Sequence, residues 1–316
     1  MSHSGITKFD NYLTRLGLAF PTGNLIGTIV APVARAENAT DKVFVDGDDA
    51  INQMNDLAEA TPSNEVDFEI GDPYTFAAKR RALNTVVKDK EARNAEAIVR
   101  LEQRATTKLT NRLRIKHEKR VADIMTDTAK VTQTKNVTSV VNKQWDETSP
   151  DLEADIIIAV KAIQSASGSM ANSIIIPFDA ALYAANMDFI KDTLQYQHGM
   201  AVVTAMFQKQ VMDLVGLPPF IKGLKVIISS GRINNANKGQ TKSVENPWGK
   251  DCLIGYIPPS LQVDIQVGIA TMEYEPLRVF KQKMDDPKGT KIIVDWDYDI
   301  LEADLTNWYL LQNVIS

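Results

Sequence analysis

Residues 88–130 of the chain, KDKEARNAEAIVRLEQRATTKLTNRLRIKHEKRVADIMTDTAK, are not interrupted by proline or glycine. Apolar residues recur there every three or four positions, which predicts one long amphipathic helix with a single buried side. The recurring positions are Ile98, Leu101, Ala105, Leu109, Leu113, Val121, Ile124 and Thr128. About 35 helical residues would extend roughly 50 Å, which is long for one compact domain.

The predicted helix is basic, and a segment that precedes it is acidic. Residues 88–120 hold eleven Lys and Arg against five Asp and Glu, a net charge of +6. Residues 41–72, called the acidic segment below, hold ten Asp and Glu against Lys42, a net charge of −9. The basic side of the helix is therefore either a solvated face or a face that meets acid, on another subunit or on nucleic acid.

The acidic segment and the residues before it are not expected to be stable in isolation. In the acidic segment, Val66, Phe68 and Ile70 alternate with Asp67 and Glu69, and a second apolar run occupies residues 43–45. This pattern predicts a long two-stranded loop, which is at best marginally stable by itself. Residues 1–40 contain scattered Pro and Gly and predict an extended arm with at most one short helix over 7–18. Both need another surface to lie on.

The remainder of the chain mixes helices and strands without strict alternation, so the predicted fold class is α+β. A helix is predicted to start at Ser149-Pro150-Asp151, with Ser as the cap and Pro in the first turn, and to end at Gly168. Further helices are predicted over 179–194 and 201–214, and a loop over 231–247. Strands are predicted over 174–177, 224–230, 251–257, 263–269, 277–283 and 291–298, with a hairpin turn over 285–289 and a tail over 301–315 that is strand or helix.

Composition and motifs exclude several classes of protein. Apolar residues make up 44% of the 316-residue chain and charged residues 24%, which excludes a disordered chain, and its single Cys252 excludes a disulfide scaffold. Phosphate-loop, dinucleotide-binding, zinc-protease and nucleophile-elbow motifs are absent from the sequence. We expect no enzyme activity, no metal and no cofactor. Because a membrane-spanning apolar run and a secretory apolar region are also lacking, we expect a reducing cytoplasm or a particle assembled there.

Two groups of polar residues are candidates for a site. Asp295, Asp297 and Asp299 alternate around aromatic residues, so a strand would place three carboxylates on one face. A solvated strand face is the favoured interpretation, with a divalent cation as the alternative. His117 and His198 are isolated in sequence, and we expect structural or solvated side chains.

Several stretches of the sequence, and the order of its predicted elements, resemble those of a known family. They are DPYTF at 72–76, VVKDKEAR at 86–93, WDETSPDL at 145–152, NSIIIP at 172–177 with Ala181 and Leu182, NPWG at 246–249 and IGYIPP at 254–259. In order and spacing the chain resembles the tailed-phage major capsid proteins of the Hong Kong 97-like fold, which encapsulins share. The resemblance spans about residues 40–300 and rests on order rather than on a signature.

The resemblance implies a division of the chain and a structural function. The implied parts are an N-terminal arm (1–40), an E-loop (41–78), a P-domain with the spine helix (79–148), an A-domain (149–259), a P-domain return hairpin (260–298) and a C-terminal segment that returns to the A-domain (299–316). Such subunits form hexamers and pentamers of an icosahedral virion shell around double-stranded DNA, assembled in the host bacterial cytoplasm. Portal, scaffolding and decoration proteins are the implied partners besides the chain itself, and no membrane is implied.

The sequence departs from some family members in two features, the length of the N-terminal region and the lysines of the E-loop. Only about 40 residues precede the implied E-loop, too few for a long fused scaffold, so we expect a separate scaffolding protein or none. A covalent cross-link between subunits would need a Lys on the E-loop. Lys42 is the only Lys in residues 41–72 and lies at the base of the loop, so no cross-link is expected.

The opposite charges within one chain suggest which residues meet between subunits. We expect the acidic loop to lie near basic helix residues of a neighbour, because complementary charge sets register and partner choice. The candidate contacts are Phe44, Asp48, Asp49, Glu65, Asp67, Phe68, Glu69, Arg100, Arg104, Arg112, Arg114 and Arg120. Weak non-specific contact of these arginines with packaged DNA is the competing use, although net acidity argues against strong binding. An encapsulin-like bacterial compartment and an α+β enzyme with an unrecognised site are the alternative functions.

Overall fold

The computed structural model describes residues 8–9, 25–43, 73–89, 98–138, 143–147, 150–192, 216–234, 236, 239–258, 268–285 and 287–316. The strands are β1 (Lys8–Phe9), β2 (Val33–Arg35), β3 (Thr40–Val43), β4 (Tyr74–Ala77), β5 (Lys79–Lys88), β6 (Thr134–Asn136), β7 (Ser173–Pro177), β8 (Phe220–Ile221), β9 (Leu224–Ser229), β10 (Ile233–Asn234), β11 (Val244–Glu245), β12 (Cys252–Gly255), β13 (Ile269–Asp285), β14 (Lys288–Glu302) and β15 (Trp308–Gln312). The helices are α1 (Gly27–Val30), α2 (Ile98–Met125), α3 (Leu152–Ser167) and α4 (Phe178–Ala184). None of these helices combines the length and apolar character needed to span a membrane.

The long helix predicted over 88–130 is confirmed over α2, whose 28 described residues extend about 42 Å and which ends at Met125, before the predicted end. The prediction was wrong at Lys88, which belongs to β5 and pairs with β14, and residues 90–97 lie outside the described residues. Thr85, Val86 and Val87 are β-branched and favour the sheet over the helix. Leu109, Leu113 and Val121 are buried on the sheet side of α2, as the apolar period requires.

A long hairpin forms the centre of the first sheet. β13 and β14 pair antiparallel from Ile269↔Glu302 to Asp285↔Lys288, so the predicted turn over 285–289 is confirmed. The strand predicted over 277–283 is confirmed as part of the longer β13, which continues through register shifts near Glu275. Such bulges bend a strand without ending it. The strand predicted over 263–269 lies outside the described residues except for its last two positions. The sheet order is β1-β13-β14-β5, with β2 also paired to β13.

The second sheet has six strands in the order β6-β15-β12-β7-β9-β8. Its central β7 contains Ile174, Ile175 and Ile176, and all three are fully buried. Ile175 joins the core that α2 and the hairpin share, whereas Ile174 and Ile176 join the core under α3 and α4. This sheet therefore separates two apolar cores, and a continuous apolar run is what a strand covered on both faces needs.

The C-terminal tail, predicted as either strand or helix, forms a strand over Trp308–Gln312. β15 lies between β6 and β12 in the second sheet, pairing Cys252↔Leu311 and Gly255↔Trp308 with β12. The pairing with β6 is parallel. After leaving the first sheet at Glu302, the chain thus adds β15 next to the edge strand β6 of the second sheet.

The N-terminal region finds its supporting surface on its own chain. Residues 25–36 include α1 and β2, and β2 pairs in parallel with β13 at Thr271↔Val33. Lys8 and Phe9 form β1 against Lys281 and Phe280, so the predicted helix over 7–18 is wrong at these two residues. The rest of that predicted helix lies outside the described residues.

Helix ends in the second half follow local chemistry closely. The cap of α3 is Asp151, whose carboxylate accepts from the Ala154 N–H, and not Ser149 as predicted. Gly168 ends α3 in the left-handed region with φ 66°, as a C-terminal glycine does. The helix predicted over 179–194 was too long because α4 ends at Ala184, and a separate helical turn follows over 188–192. The helix predicted over 201–214 lies outside the described residues, and the loop predicted over 231–247 contains the small β10/β11 pair.

Gly255 offers a test of how tightly β12 packs on β15. A Cβ at this position would lie 2.3 Å from the Trp308 ring, so we expect Gly255→Ala to lower the free energy of unfolding by about 1–3 kcal/mol. Urea unfolding of Gly255→Ala, of Trp308→Leu and of the double variant measures the coupling free energy between the two positions. The cost of Gly255→Ala should fall once the ring is removed. Additive costs would contradict the predicted clash.

Candidate functional site

The strands at the base of the acidic segment are held on the hairpin of β13 and β14. β3 and β4 pair antiparallel from Thr40↔Ala77 to Val43↔Tyr74, so the chain leaves and re-enters at one point. The Ala77 N–H donates to Asp299 Oδ2 at 3.0 Å, which holds β4 on the hairpin. The candidate contacts of the acidic segment lie outside the described residues and stay predictions: Phe44, Asp48, Asp49, Glu65, Asp67, Phe68 and Glu69.

The carboxylates of β14 are not a solvated strand face, which corrects the favoured interpretation. Asp295 is only 2% exposed and accepts from Arg80 at 2.8 Å, with the Arg278 Nε at 3.7 Å. Burial raises the pKa of the neighbouring Asp297, and the charge of Asp295 adds to that shift. A buried carboxylate needs such cationic partners because it has lost its water. Within the described part of the chain, no group of three or more His, Cys, Asp or Glu could hold a metal ion.

The five predicted arginine contacts lie on different sides of α2. Arg120 is turned toward the hairpin, 3.6 Å from Asp299, with its guanidinium over the Tyr298 ring. Arg114 is partly buried, and burial lowers the pKa of its guanidinium. Arg104 and Arg112 are exposed, and the side chain of Arg100 lies outside the described residues. Arg114 and Arg120 thus differ from Arg104 and Arg112 in being partly buried, and the contact of these arginines with another subunit stays a prediction.

The exposed side of α2 carries a regular row of cations that the sequence prediction missed. Arg104, Lys108, Arg112 and Lys116 are all exposed and follow each other at intervals of four residues. We name these four residues the basic stripe. The four-residue spacing was present in the sequence, but only the arginines were singled out. Lys108 and Lys116 thus lie in one exposed row with Arg104 and Arg112.

On the opposite side of α2, a buried carboxylate joins three parts of the fold. Glu118 is 1% exposed and accepts from the Ile26 N–H at 3.2 Å, from the Gly27 N–H and from Trp248 Nε1 at 2.6 Å. Burial raises the pKa of Glu118, while the three hydrogen bonds act in the opposite direction. The donors come from α1 and from the loop before β12. One side chain thus connects the N-terminal region, the long helix and the second sheet.

His117 is structural, as expected. Its Nε2 lies 2.8 Å from Thr271 Oγ1, and its ring packs against Trp296 and Tyr298 with centroids 5.0 and 5.1 Å away. Burial lowers the pKa of His117 to about 4, so the ring is neutral near pH 7. Beside it lies a cavity of about 260 Å³ between α1, α2 and the hairpin, whose polar lining includes Arg114, Glu118 and Glu273.

Comparison with known proteins establishes the fold. No protein-family model matches the chain, and no curated protein does. A crystal structure of a phage-related protein from Bordetella bronchiseptica matches with a TM-score of 0.71 and 18% identity, covering 98% of each chain. The capsid structure of the cyanophage P-SCSP1u matches with a TM-score of 0.61 and 12% identity, over 91% of this chain and 87% of that one.

A third structure of the same fold is not described as a phage. The crystal structure of a virus-like particle from Pyrococcus furiosus matches with a TM-score of 0.56 and 11% identity, over 96% of this chain and 99% of that one. The chain therefore has the α+β fold of phage capsid structures, which confirms the fold expected from the resemblance.

Removing the Glu118 carboxylate should destabilise the chain strongly. Glu118→Ala leaves three buried donors without their acceptor, so the free energy of unfolding should fall by at least about 3 kcal/mol. Urea unfolding measures this, and limited proteolysis should cut more readily around residues 25–36. The control is Asp123→Ala, an exposed carboxylate of the same helix, which should change stability by less than about 0.5 kcal/mol. Equal effects of the two variants would contradict the role of Glu118.

The depressed pKa of His117 predicts how stability depends on pH. The unfolded chain binds a proton at this residue below about pH 6.5, whereas the folded chain binds it only below about 4. Stability is therefore complete above pH 6.5 and decreases by about 3 kcal/mol as the pH falls through this window. Denaturant unfolding of the wild type and of His117→Gln at several pH values tests this. A variant with the wild-type slope would show that His117 is not the titrating group.

Proposed function

We propose that this chain is the major capsid protein of a tailed phage, a structural subunit that self-assembles into hexamers and pentamers of an icosahedral shell enclosing double-stranded DNA. The observation that carries this proposal is the fold match, which extends over nearly the whole length of both chains for the phage-related protein. The match to a cyanophage capsid supports it. A shell subunit needs surfaces that fit copies of itself rather than a reaction centre.

The division into parts that the resemblance implies is carried forward as part of the proposal. Residues 41–78 would be the E-loop, which the pairing of β3 with β4 supports by closing the loop at its base. Residues 79–148 and 260–298 would form the P-domain, supported by the pairing of β5 with β14. Residues 149–259 and 299–316 would form the A-domain, supported by the place of β15 beside β12.

The charge distribution supports an assembling subunit. The acidic segment has a net charge of −9, and the pairing of β3 with β4 lies at its base. A loop of this composition gains most when another surface supplies cations and apolar cover. The acidic candidate contacts of this segment, Asp48, Asp49, Glu65, Asp67 and Glu69, would therefore lie at a boundary between subunits.

The proposal includes partners and a location. The chain would work without catalysis or a cofactor, in the virion, after assembly in the cytoplasm of a bacterial host. A portal protein, and a separate scaffolding or decoration protein, would join the shell. Contact with packaged DNA would be weak and non-specific, because a net charge of −5 opposes binding to phosphate.

A bacterial compartment shell of the encapsulin kind is the second candidate function. The observation that favours it is the match to the virus-like particle from Pyrococcus furiosus, which covers both chains almost completely. The contents of purified particles separate the two candidates. Packaged duplex DNA would support the phage capsid, and an enclosed enzyme would support the compartment.

The proposed function predicts that the purified 316-residue chain forms large assemblies. Negative-stain microscopy and sedimentation should reveal closed shells or ring-shaped capsomers, since six or five copies meet in each capsomer. The same protein in about 4 M urea provides a dissociated reference for sedimentation. A folded chain that stays monomeric at every concentration and salt condition would overturn the proposal and would favour the α+β enzyme.

A further inference from the structure

The cavity beside His117 combines a buried polar floor with an exposed rim. His117 and Glu118 line it and are only 2% and 1% exposed. Thr28 and Pro276 also line it and are exposed to solvent. Its volume of about 260 Å³ lies just below the range of about 300–1,000 Å³ that is typical of pockets for drug-sized ligands. The cavity therefore suits a smaller molecule that enters past the rim and meets charged groups inside.

The hydrogen bonds of Thr271 determine which nitrogen of His117 carries the proton. The Ala31 carbonyl can only accept, so the Thr271 hydroxyl donates its one hydrogen to this oxygen, at 3.0 Å. The same hydroxyl must therefore accept from His117 Nε2, at 2.8 Å. Because burial lowers the pKa of His117 to about 4, the ring is neutral near pH 7 and its Nδ1 is an unprotonated acceptor. Among the described residues, no donor forms a hydrogen bond to this Nδ1.

Two carboxylates lie around the same space. The position that a Cβ would take on Gly27 is 3.3 Å from His117 Nδ1 and 2.6 Å from Glu118 Oε2, so both acceptors face α1. Glu118 receives three hydrogen bonds, and a carboxylate has about four lone-pair sites. On the hairpin side of the cavity, Glu273 Oε1 accepts from Trp296 Nε1 at 2.6 Å. Both carboxylates thus keep capacity for a further donor.

The charge and shape of the lining select a small organic cation. Glu118 and Glu273 carry two negative charges against the single positive charge of Arg114, which leaves one negative charge for a monocation to balance. A primary ammonium has three N–H donors, which matches one histidine nitrogen and two carboxylates. The buried Leu277 and the ring of Trp296 supply an apolar wall for a short alkyl chain and a π face for the charge.

We propose that this cavity binds a small primary alkylammonium ion, with its N–H groups on His117 Nδ1, Glu118 and Glu273 and its alkyl chain against Trp296. The ligand joins α1, α2 and the hairpin at one point, because all three contribute to the lining. The site is independent of the proposed function, because its lining comes from one chain.

The probe that tests this site is n-butylammonium. Saturation-transfer difference NMR near pH 7 titrates it against the purified chain at constant ionic strength, and 1-butanol serves as a neutral probe with the same number of non-hydrogen atoms. A cation of this size has an affinity limit in the micromolar range, so we expect saturable binding with a Kd between about 10 μM and 1 mM. We expect 1-butanol to bind at least about tenfold more weakly, because it cannot form charge-assisted hydrogen bonds.

Two variants disable the site, and each has a matched control. Glu273→Gln cancels the net negative charge of the lining and should weaken binding of n-butylammonium by at least about tenfold. Its control, Glu275→Gln, removes a carboxylate of the same strand outside the lining. Thr28→Lys tethers an ammonium group at the rim and should abolish saturable binding, whereas Ile29→Lys adds the same charge at the next exposed position outside the lining. Both controls should bind as the wild type does, and circular dichroism should show the same fold for all four.

Three results would overturn the inference. The first is a wild-type chain without saturable binding of n-butylammonium. The second is equal binding of 1-butanol, which would show that the carboxylates do not select a charge. The third is unchanged binding by both Glu273→Gln and Thr28→Lys, which would place the cation elsewhere on an acidic surface.

Titration of assembled shells beside the unassembled chain identifies the source of the ammonium group. A free alkylamine should bind to both. Binding by the unassembled chain alone would show that a lysine of a neighbouring copy occupies the cavity in the shell, and would overturn a free amine as the ligand. A chain that never assembles would overturn the proposed function and not this site, because the titration requires only the folded chain.

Discussion

The carboxylate of Glu118 is the constraint on which the arrangement of the body depends. An ionised group removed from water must regain its hydrogen bonds from the protein. Here the donors are the backbone of Ile26 and Gly27 and the indole of Trp248, which lie far from Glu118 in sequence. The N-terminal region and the second sheet must therefore both be in place before α2 is satisfied. This requirement makes their positions interdependent.

Burial also explains how the cations of α2 are distributed. On the sheet side, Arg120 has a carboxylate and an aromatic ring within its own chain, because a charge placed there cannot rely on water. On the outer side, Arg104 and Lys108 are exposed to solvent. One helix thus uses an inner charge to hold the hairpin, whereas its outer charges keep their hydration.

Local chemistry predicted much of the fold. The three isoleucines of β7, the left-handed Gly168 at the end of α3 and the hairpin turn near Pro287 each express a preference that operates within a few residues. The exposure of the individual cations of α2 could not be predicted in the same way. The charges were visible in the sequence, but their division between two sides of α2 depends on where the helix rests. The failure at Asp295 has the same cause, because its cationic partner Arg80 lies 215 residues away.

The sequence by itself determined the α+β class, the long basic helix, the separation of acidic from basic segments and the order of elements that resembles a capsid protein. These follow from composition and periodicity, which act over short distances along the chain. Only the tertiary structure decided that residues 79–88 form a strand, that Glu118 joins three segments and that four cations of α2 share one exposed side. Such features depend on which distant residues come together, and contacts between distant residues leave no periodic trace in a single sequence.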